Sequence, residues 1–298
     1  MELQLQQAGQ SQKEHFSGFL KELVQKFCPE QIYCFGRTVE LKTADSCFTG
    51  KVRDEKFCYF LLMVTESITR IEHEVQDFAN QHYPFGTIAI LVHGRETIEQ
   101  AITANNRFFI TVYNSGQIIY SRDGMVQSPE TVSFIPTQAA VKAQKHFDNR
   151  MQLATGFLAS ANECLKNGQH AICAFMAHQV TEQCCILLIR VHLAYRSDMH
   201  NLYRQLRLCN SFSTAPSWLF LSGGEEDKRL FEIMVKSYSA ARYKDDFRVN
   251  QADAEQIFIR ISNFIKLTEI LCLKKIESLG MEAELYKQHK QESEVGHD

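Results

Sequence analysis

Ten cysteines are spread along the sequence without one Cys-x-x-Cys pair, the spacing on which structural metal sites and dithiol redox motifs are usually built. Cys28, Cys34, Cys47, Cys58, Cys164, Cys173, Cys184, Cys185, Cys209 and Cys272 sit mostly in apolar runs, where a reduced thiol packs as a small hydrophobe. No metal or cofactor is expected from them. Charge of one sign is lacking too: 32 basic against 35 acidic residues leave a net charge of −3, so no bulk field draws the chain to nucleic acid or a membrane. Any such binding must come from a local patch. Met1-Glu-Leu-Gln-Leu-Gln-Gln has neither the charged nor the apolar region of a signal peptide, and no apolar run approaches the roughly 20 residues that span a bilayer. The expectation is a cytoplasmic protein without a membrane partner. There is no internal repeat and no low-complexity domain.

What is present suits packed cores. A chain of 298 residues that is 45% apolar is long enough for two ordinary domains. Phe16, Phe19, Leu20, Leu23 and Phe27 fall at helical spacing before Pro29. Gln31–Phe35 and Lys56–Thr65 then read as buried strands separated by a polar stretch carrying Gly50. Ile68–Phe78 returns to helical period, Thr87–His93 is a third strand and Arg95–Asn105 a helix. Phe108–Tyr113 and Gln117–Tyr120 read as a strand pair across Asn114-Ser-Gly. This is an α/β or α+β pattern over residues 1–124. Residues 125–137, with Pro129 and Pro136, form the expected linker.

Beyond Pro136 the strand signals vanish, and an all-α bundle is expected over 138–278. Its helices are Ala139–Lys166, closed by the Asn167-Gly168 turn, Gln169–His192, apolar on nearly every face, and Met199–Leu208, with Ser197 or Asp198 as cap. A fourth runs from the Ser222-Gly-Gly-Glu-Glu-Asp opening to Tyr243, and a fifth covers Gln251–Lys274. Residues 279–298 form the expected charged tail; from Glu282 to Asp298 it is nearly free of apolar side chains, a frayed helix or a disordered segment.

Three segments of the helical half carry a resemblance. Ala171-Ile-Cys-Ala-Phe-Met-Ala-His-Gln-Val-Thr-Glu-Gln combines small residues with a His-Gln pair and a Glu one turn later; His200-Asn-Leu-Tyr-Arg-Gln-Leu opens a later helix; Tyr238-Ser-Ala-Ala-Arg-Tyr-Lys-Asp closes another. In this order they resemble the HEPN family, helical domains named for their occurrence in higher eukaryotes and prokaryotes and for nucleotide binding. The first half is similar to the minimal nucleotidyltransferases that accompany HEPN domains. Phe35-Gly-Arg-Thr stands where that family has Gly-Ser before a polar loop, and Phe57-Cys-Tyr-Phe-Leu-Leu-Met-Val stands where it has Asp-x-Asp. Nucleotidyl transfer needs carboxylates to hold a divalent metal against the triphosphate. Cys58 and Phe60 replace that pair, Arg37 replaces the serine, and Asp45 and Asp54-Glu55 read as solvated loop acids, so the transferase-like domain is expected to be inactive.

The resemblance implies a phosphate-bearing ligand, nucleotide or RNA, a homodimer, and a partner protein of the toxin-antitoxin kind. HEPN ribonucleases carry Arg and His separated by four to six residues at a dimer interface. Here Arg196 and His200 have three residues between them. In the catalytic reading His200 exchanges a proton with a ribose 2′-hydroxyl and Arg196 braces phosphate; in the other, both belong to a solvated loop and a first helical turn. His178 and Glu182, four apart on one helix face, are expected to pair with each other or with Tyr238, Arg242 or Tyr243, either at a nucleotide cleft or as an internal network. Arg204, with Arg207 and Arg190, forms a basic edge suited to phosphate. Gly223-Gly224 is not a phosphate loop, because three acids follow it and no strand precedes it. Three functions stay open: a nucleotide- or RNA-binding interaction protein, a metal-independent endoribonuclease, and an active nucleotidyltransferase. A purely structural scaffold is the fourth possibility.

Overall fold

The structure, a computed structural model, describes residues 2–44, 47–48, 52–67, 70–125, 130–222 and 224–295. Asp45, Gly50, Ile68, Pro129 and Gly223 lie outside the described residues, as do 296–298 of the expected tail. The chain divides into two units, Met1–Phe134 and Ile135–Asp298.

The first unit runs α1 (Glu2–Phe27), β1 (Gln31–Ala44), β2 (Val52–Thr65), α2 (Glu72–His82), β3 (Gly86–Gly94), α3 (Arg95–Thr103), α4 (Arg107–Ser115) and β4 (Gln117–Ser121). The sheet order is β3-β2-β1-β4, with β2 and β3 parallel and the other pairs antiparallel. Successive side chains of a strand point to opposite faces. Phe57, Tyr59, Leu61 and Met63 of β2 therefore meet Phe19 and Leu23 of α1 and Val75 and Phe78 of α2 on one face. On the other, the Phe60 ring lies 6.1 Å from Phe35, which in turn meets Phe108 of α4 at 5.4 Å. Both faces are covered, which is why β2 reads as an unbroken apolar run. β3 is an edge strand, and the buried Gln76 occupies its outer groups: its amide donates to the Ile88 carbonyl at 2.8 Å and its oxygen accepts from the Ile90 amide at 3.1 Å.

Residues 108–113, expected as a strand, are helical instead. The Asn106 side chain caps α4 by accepting from the Phe108 amide at 3.0 Å, and Phe108, Phe109 and Val112 bury one helix face. Packing has overridden the strand preference of an aromatic and β-branched run. The Phe35-Gly-Arg-Thr segment does not turn into a polar loop. It stays in β1, at a register shift between Cys34 and Gly36, with Gly36 opposite Phe60 and Thr38 opposite Cys58. Asp54 and Glu55 are likewise in β2, opposite Lys42 and Leu41, and not in a loop.

The second unit is helical: α5 (Ala139–Lys166), α6 (His170–Leu193), α7 (Leu202–Cys209), α8 (Ala215–Leu221), α9 (Glu225–Tyr243) and α10 (Gln251–Val295). α5 ends as the Asn-Gly turn predicts. Gly168 takes a left-handed φ of 70°, its amide bonds to the Leu165 carbonyl, and the Gln169 amide bonds to the Cys164 carbonyl at 2.8 Å. The chain reverses and α6 returns along α5. α6 is packed by α5, α7, α9 and α10. By length and composition it is apolar enough to cross a bilayer, which corrects the reading that no run approaches that length, but 72% of its most apolar stretch is buried inside the fold. Cys184, Cys185, Cys209 and Cys272 are fully buried in this core.

Three boundaries differ from expectation. α7 begins at Leu202 and is capped by Asn201, whose side chain accepts from the Arg204 amide, in place of Ser197 or Asp198. α8 is a helix without a sequence forecast. α10 passes Lys274 and continues through most of the expected tail to Val295, with Leu279 and Ala283 buried.

Candidate functional site

Two helices and one loop bring the candidate residues together. α6 supplies His178 and Glu182, the α6–α7 loop supplies His200, and α9 supplies Tyr238, Arg242 and Tyr243. His178 and Glu182 share a helix face but do not bond to each other, which corrects their expected pairing. Glu182 accepts a hydrogen bond from His200 instead, with 3.0 Å between Nδ1 and Oε1. The carboxylate is nearly enclosed, at 7% side-chain exposure, whereas the imidazole is 72% exposed. The buried acid thus holds one edge of a solvent-facing ring. When Nδ1–H donates to Glu182, Nε2 keeps its lone pair and faces outward as a proton acceptor. His200 itself lies one residue ahead of the Asn201 cap and not in the first helical turn.

His178 is 2% exposed and packs against Tyr238 with the rings tilted by 31° and their centroids 4.8 Å apart. Burial, reinforced by the positive charge of Arg242 and by His200, pushes its pKa down to about 4. It is a neutral ring at pH 7. Arg242 closes the cluster. Its Nε donates to the Tyr238 carbonyl at 2.6 Å, and its guanidinium carbon lies 4.3 Å from the Tyr238 ring centre, 5.0 Å from that of Tyr243 and 5.4 Å from that of Phe175. Aromatic faces attract cations, so the three rings hold the guanidinium without neutralising it. Among the described residues it has no carboxylate partner, and Tyr243 beside it is 77% exposed.

Phe175 was missed by reading the sequence for polar residues alone. Its position three residues before His178, on the same helix face, is the signal that would have found it. Arg150 of α5 was missed as well: its Nη1 donates to Gln183 at 2.6 Å across the α5–α6 hairpin. Arg196 is exposed and pairs with Asp198 at 3.4 Å, and no hydrogen bond or ion pair joins it to His200. Arg204 is half-buried on α7. Glu225 pairs with Lys228, Glu226 with Arg229, and Asp227 with Arg260 of α10. A cleft of about 480 Å³ lined by Tyr203, Leu221, Glu225, Lys228, Arg229 and Glu232 lies along α9, and its charges are largely satisfied by these same pairs.

In the first unit the positions of the missing metal ligands are apolar in fact. Phe60 is fully buried and Cys58 faces Thr38 and Thr87 across the sheet. Among the described residues, no three His, Cys, Asp or Glu side chains converge as a metal site.

No curated protein matches the chain by sequence. Among solved structures it is similar to a nucleotidyltransferase-like protein from Exiguobacterium sibiricum 255-15, at 10% identity over 91% of this chain and 80% of that one, with a TM-score of 0.29. The family model of the HEPN domain matches residues 148–271, a span that begins in α5, ends in α10 and holds every residue of the cluster just described. Residues 148–271 are a HEPN domain.

Proposed function

We propose that the HEPN domain binds a phosphate-bearing ligand, a nucleotide or a stretch of RNA, at Arg242, Tyr238, Tyr243, His178, Glu182 and His200, with Arg204 at its margin. The observation that carries this is Arg242, an exposed guanidinium seated on three aromatic rings with no acid to neutralise it. A planar fork of donors matches phosphate geometry, and the neighbouring Tyr238 and Tyr243 rings offer stacking faces to a base. In this reading the protein is a cytoplasmic homodimer, and its first unit is a catalytically inactive docking module for a partner protein. Ten free thiols fit a reducing compartment. Exposed Ile270, Leu273, Met281 and Leu285 of α10 are the material for the two-fold contact. An antiparallel pair of α10 helices centred between Glu277 and Ser278 sets Ile270 against Leu285 and Leu273 near Met281, as an isologous interface requires.

A fluorescent ATP analogue and a short labelled RNA, titrated separately against wild type and Arg242→Gln, test the site. Saturable binding of one of them that weakens at least tenfold in the variant is expected. No saturable binding of either sinks the proposal. Sedimentation of wild type and Leu273→Glu tests the dimer, and a wild-type monomer refutes it.

A second reading, a metal-independent endoribonuclease of toxin type, is favoured by the Glu182–His200 bond. A buried carboxylate orienting an exposed imidazole is how a general base is held ready for a ribose hydroxyl. Arg196, turned to Asp198, lends it no support. The reading predicts RNA cleavage in the presence of a chelator that disappears in His200→Ala, and identical background in both proteins refutes it. Active nucleotidyl transfer is the remaining alternative; label transferred from α-labelled ATP with magnesium would revive it against Cys58 and Phe60.

A further inference from the structure

The α5–α6 hairpin carries a group of cations that the cluster around Arg242 does not use. Its register is set by the Arg150–Gln183 bond at 2.6 Å. In an antiparallel pair, moving one turn from Arg150 toward the start of α5 reaches His146, and the facing level on α6 is near Leu187. Helical side chains tilt toward the N-terminus of their own helix, so Arg190, a turn further on, reaches back to that level. Arg196 follows in the loop after α6. Arg190 is half-buried, and among the described residues it makes no ion pair. The nearby carboxylate is Asp198, which already pairs with Arg196 at 3.4 Å.

The groups feel one another. Burial lowers the pKa of Arg190, and Arg196 and Arg150 lower it further, with Asp198 opposing. Burial also lowers that of His146, followed by Arg190, Arg150 and Lys145. One of the cations, Arg190, sits in the last turn of α6, where helix carbonyls stabilise positive charge. That local effect does not account for Arg150 and Lys145, which belong to α5; His146 beside them, held below the usual imidazole range, is a neutral hydrogen-bonding ring at pH 7. Like charges gathered on two helices and a loop with one acid among them repel, and a bound anion removes the repulsion.

We infer that His146, Arg150, Arg190 and Arg196 form a second phosphate-binding site, which holds the ribose-phosphate backbone of an oligoribonucleotide on its way to His200. The inference rests on the nucleotide- or RNA-binding reading above and narrows it to RNA. Helix geometry favours a chain of phosphates over one: His146 and Arg150 are separated by about 6 Å of helix rise, and Arg190 and Arg196 lie on the facing helix and its exit loop. The loop from Ala194 to Asn201 joins Arg196 to His200, so a strand that crosses the patch arrives at the oriented imidazole.

The test is fluorescence anisotropy of a short labelled single-stranded RNA between about 50 and 200 mM salt, where each phosphate contact contributes roughly 0.7 to the slope of log K against log salt. Arg190→Gln and Arg150→Gln are each expected to reduce the slope by about 0.7 and to weaken binding about tenfold at the lowest salt. Arg190→Lys keeps the charge and is expected to keep the slope. Arg196→Gln, at an exposed loop residue, supplies a variant that leaves packing untouched, and it too should lower the slope. If RNA binding weakens in Arg242→Gln while all the patch variants keep the wild-type slope, the patch is overturned and the Arg242 site survives. Loss of slope in the patch variants with Arg242→Gln unchanged supports the patch and removes the Arg242 site. Binding of ADP but not of RNA overturns the patch alone, and absence of both overturns the two proposals together.

Discussion

Lowering the pH from 7 toward 4 is expected to weaken the helical unit through His178. In the folded protein this ring is 2% exposed, and its pKa falls from an ordinary 6.5 to about 4 because burial, Arg242 and His200 all disfavour the charged form. Between those two values the unfolded chain binds a proton that the folded chain refuses. The stabilisation is therefore complete above about pH 6.5 and is lost as the pH falls to about 4. One proton gives a slope of at most about 1.4 kcal/mol per pH unit, and the full shift amounts to about 3 kcal/mol. Set against a total stability of roughly 5–15 kcal/mol, that is a large share. Trp218, the single tryptophan, lies in α8 and makes fluorescence a reporter of this unit. Urea unfolding at a series of pH values would be compared between wild type and His178→Phe, which keeps a ring against Tyr238 and removes the titration. Carboxylates such as Asp253, held below its usual range by Arg229, lose stability on acidification in both proteins, so the difference between the two isolates the imidazole. Parallel loss of stability in wild type and variant between pH 6.5 and 4 would refute the reasoning.

Gln76→Leu leaves the Ile90 amide and the Ile88 carbonyl without their partner at a buried sheet edge, and a loss of about 2 kcal/mol is expected. Exchange of the Ile90 amide reads it directly; unchanged protection contradicts it. Asn250→Ala removes the side chain that accepts from the Asp253 amide at 2.8 Å at the start of α10, for an expected cost of about 1 kcal/mol in Trp218-monitored urea unfolding. Gly168→Ala places a side chain at a left-handed φ of 70° and is expected to cost about 1 kcal/mol in the same assay, whereas Gly168→Asn should cost less. Equal stability of the two glycine variants would show that the turn is not strained by a Cβ.

Much of the helical half was legible because its signals are local. α5 ends where Asn167-Gly168 says it must, since the left-handed turn needs only the residue that adopts it. The strand over 56–65 was equally readable, its apolar run reporting cover on both faces. Residues 107–115 were not: the run Phe108-Phe-Ile-Thr-Val-Tyr suits a strand locally, and only the Asn106 cap and the sheet face beneath it select the helix. The extension of α10 was hidden by its charges. Lys287 pairs with Glu284 and Lys275 with Glu282 along one helix, so a segment that looks too polar to fold keeps a buried edge at Leu279 and Ala283.

By itself the sequence determined the two-part architecture, the HEPN resemblance, and the residue types at the candidate site. Periodicity, caps and motif order are properties of neighbouring residues, and they survive without a fold. Tertiary structure alone decided the partners. Glu182 serves His200 and not His178 because a loop returns His200 to the middle of α6, 18 residues further along the chain. His178 is neutral because α9 lays Tyr238 and Arg242 against it. Arg196, the candidate mate of His200 in the ribonuclease reading, turns instead to Asp198. Hydrogen bonds, burial and charge act through space, and the distances that govern them exist only once the helices have packed.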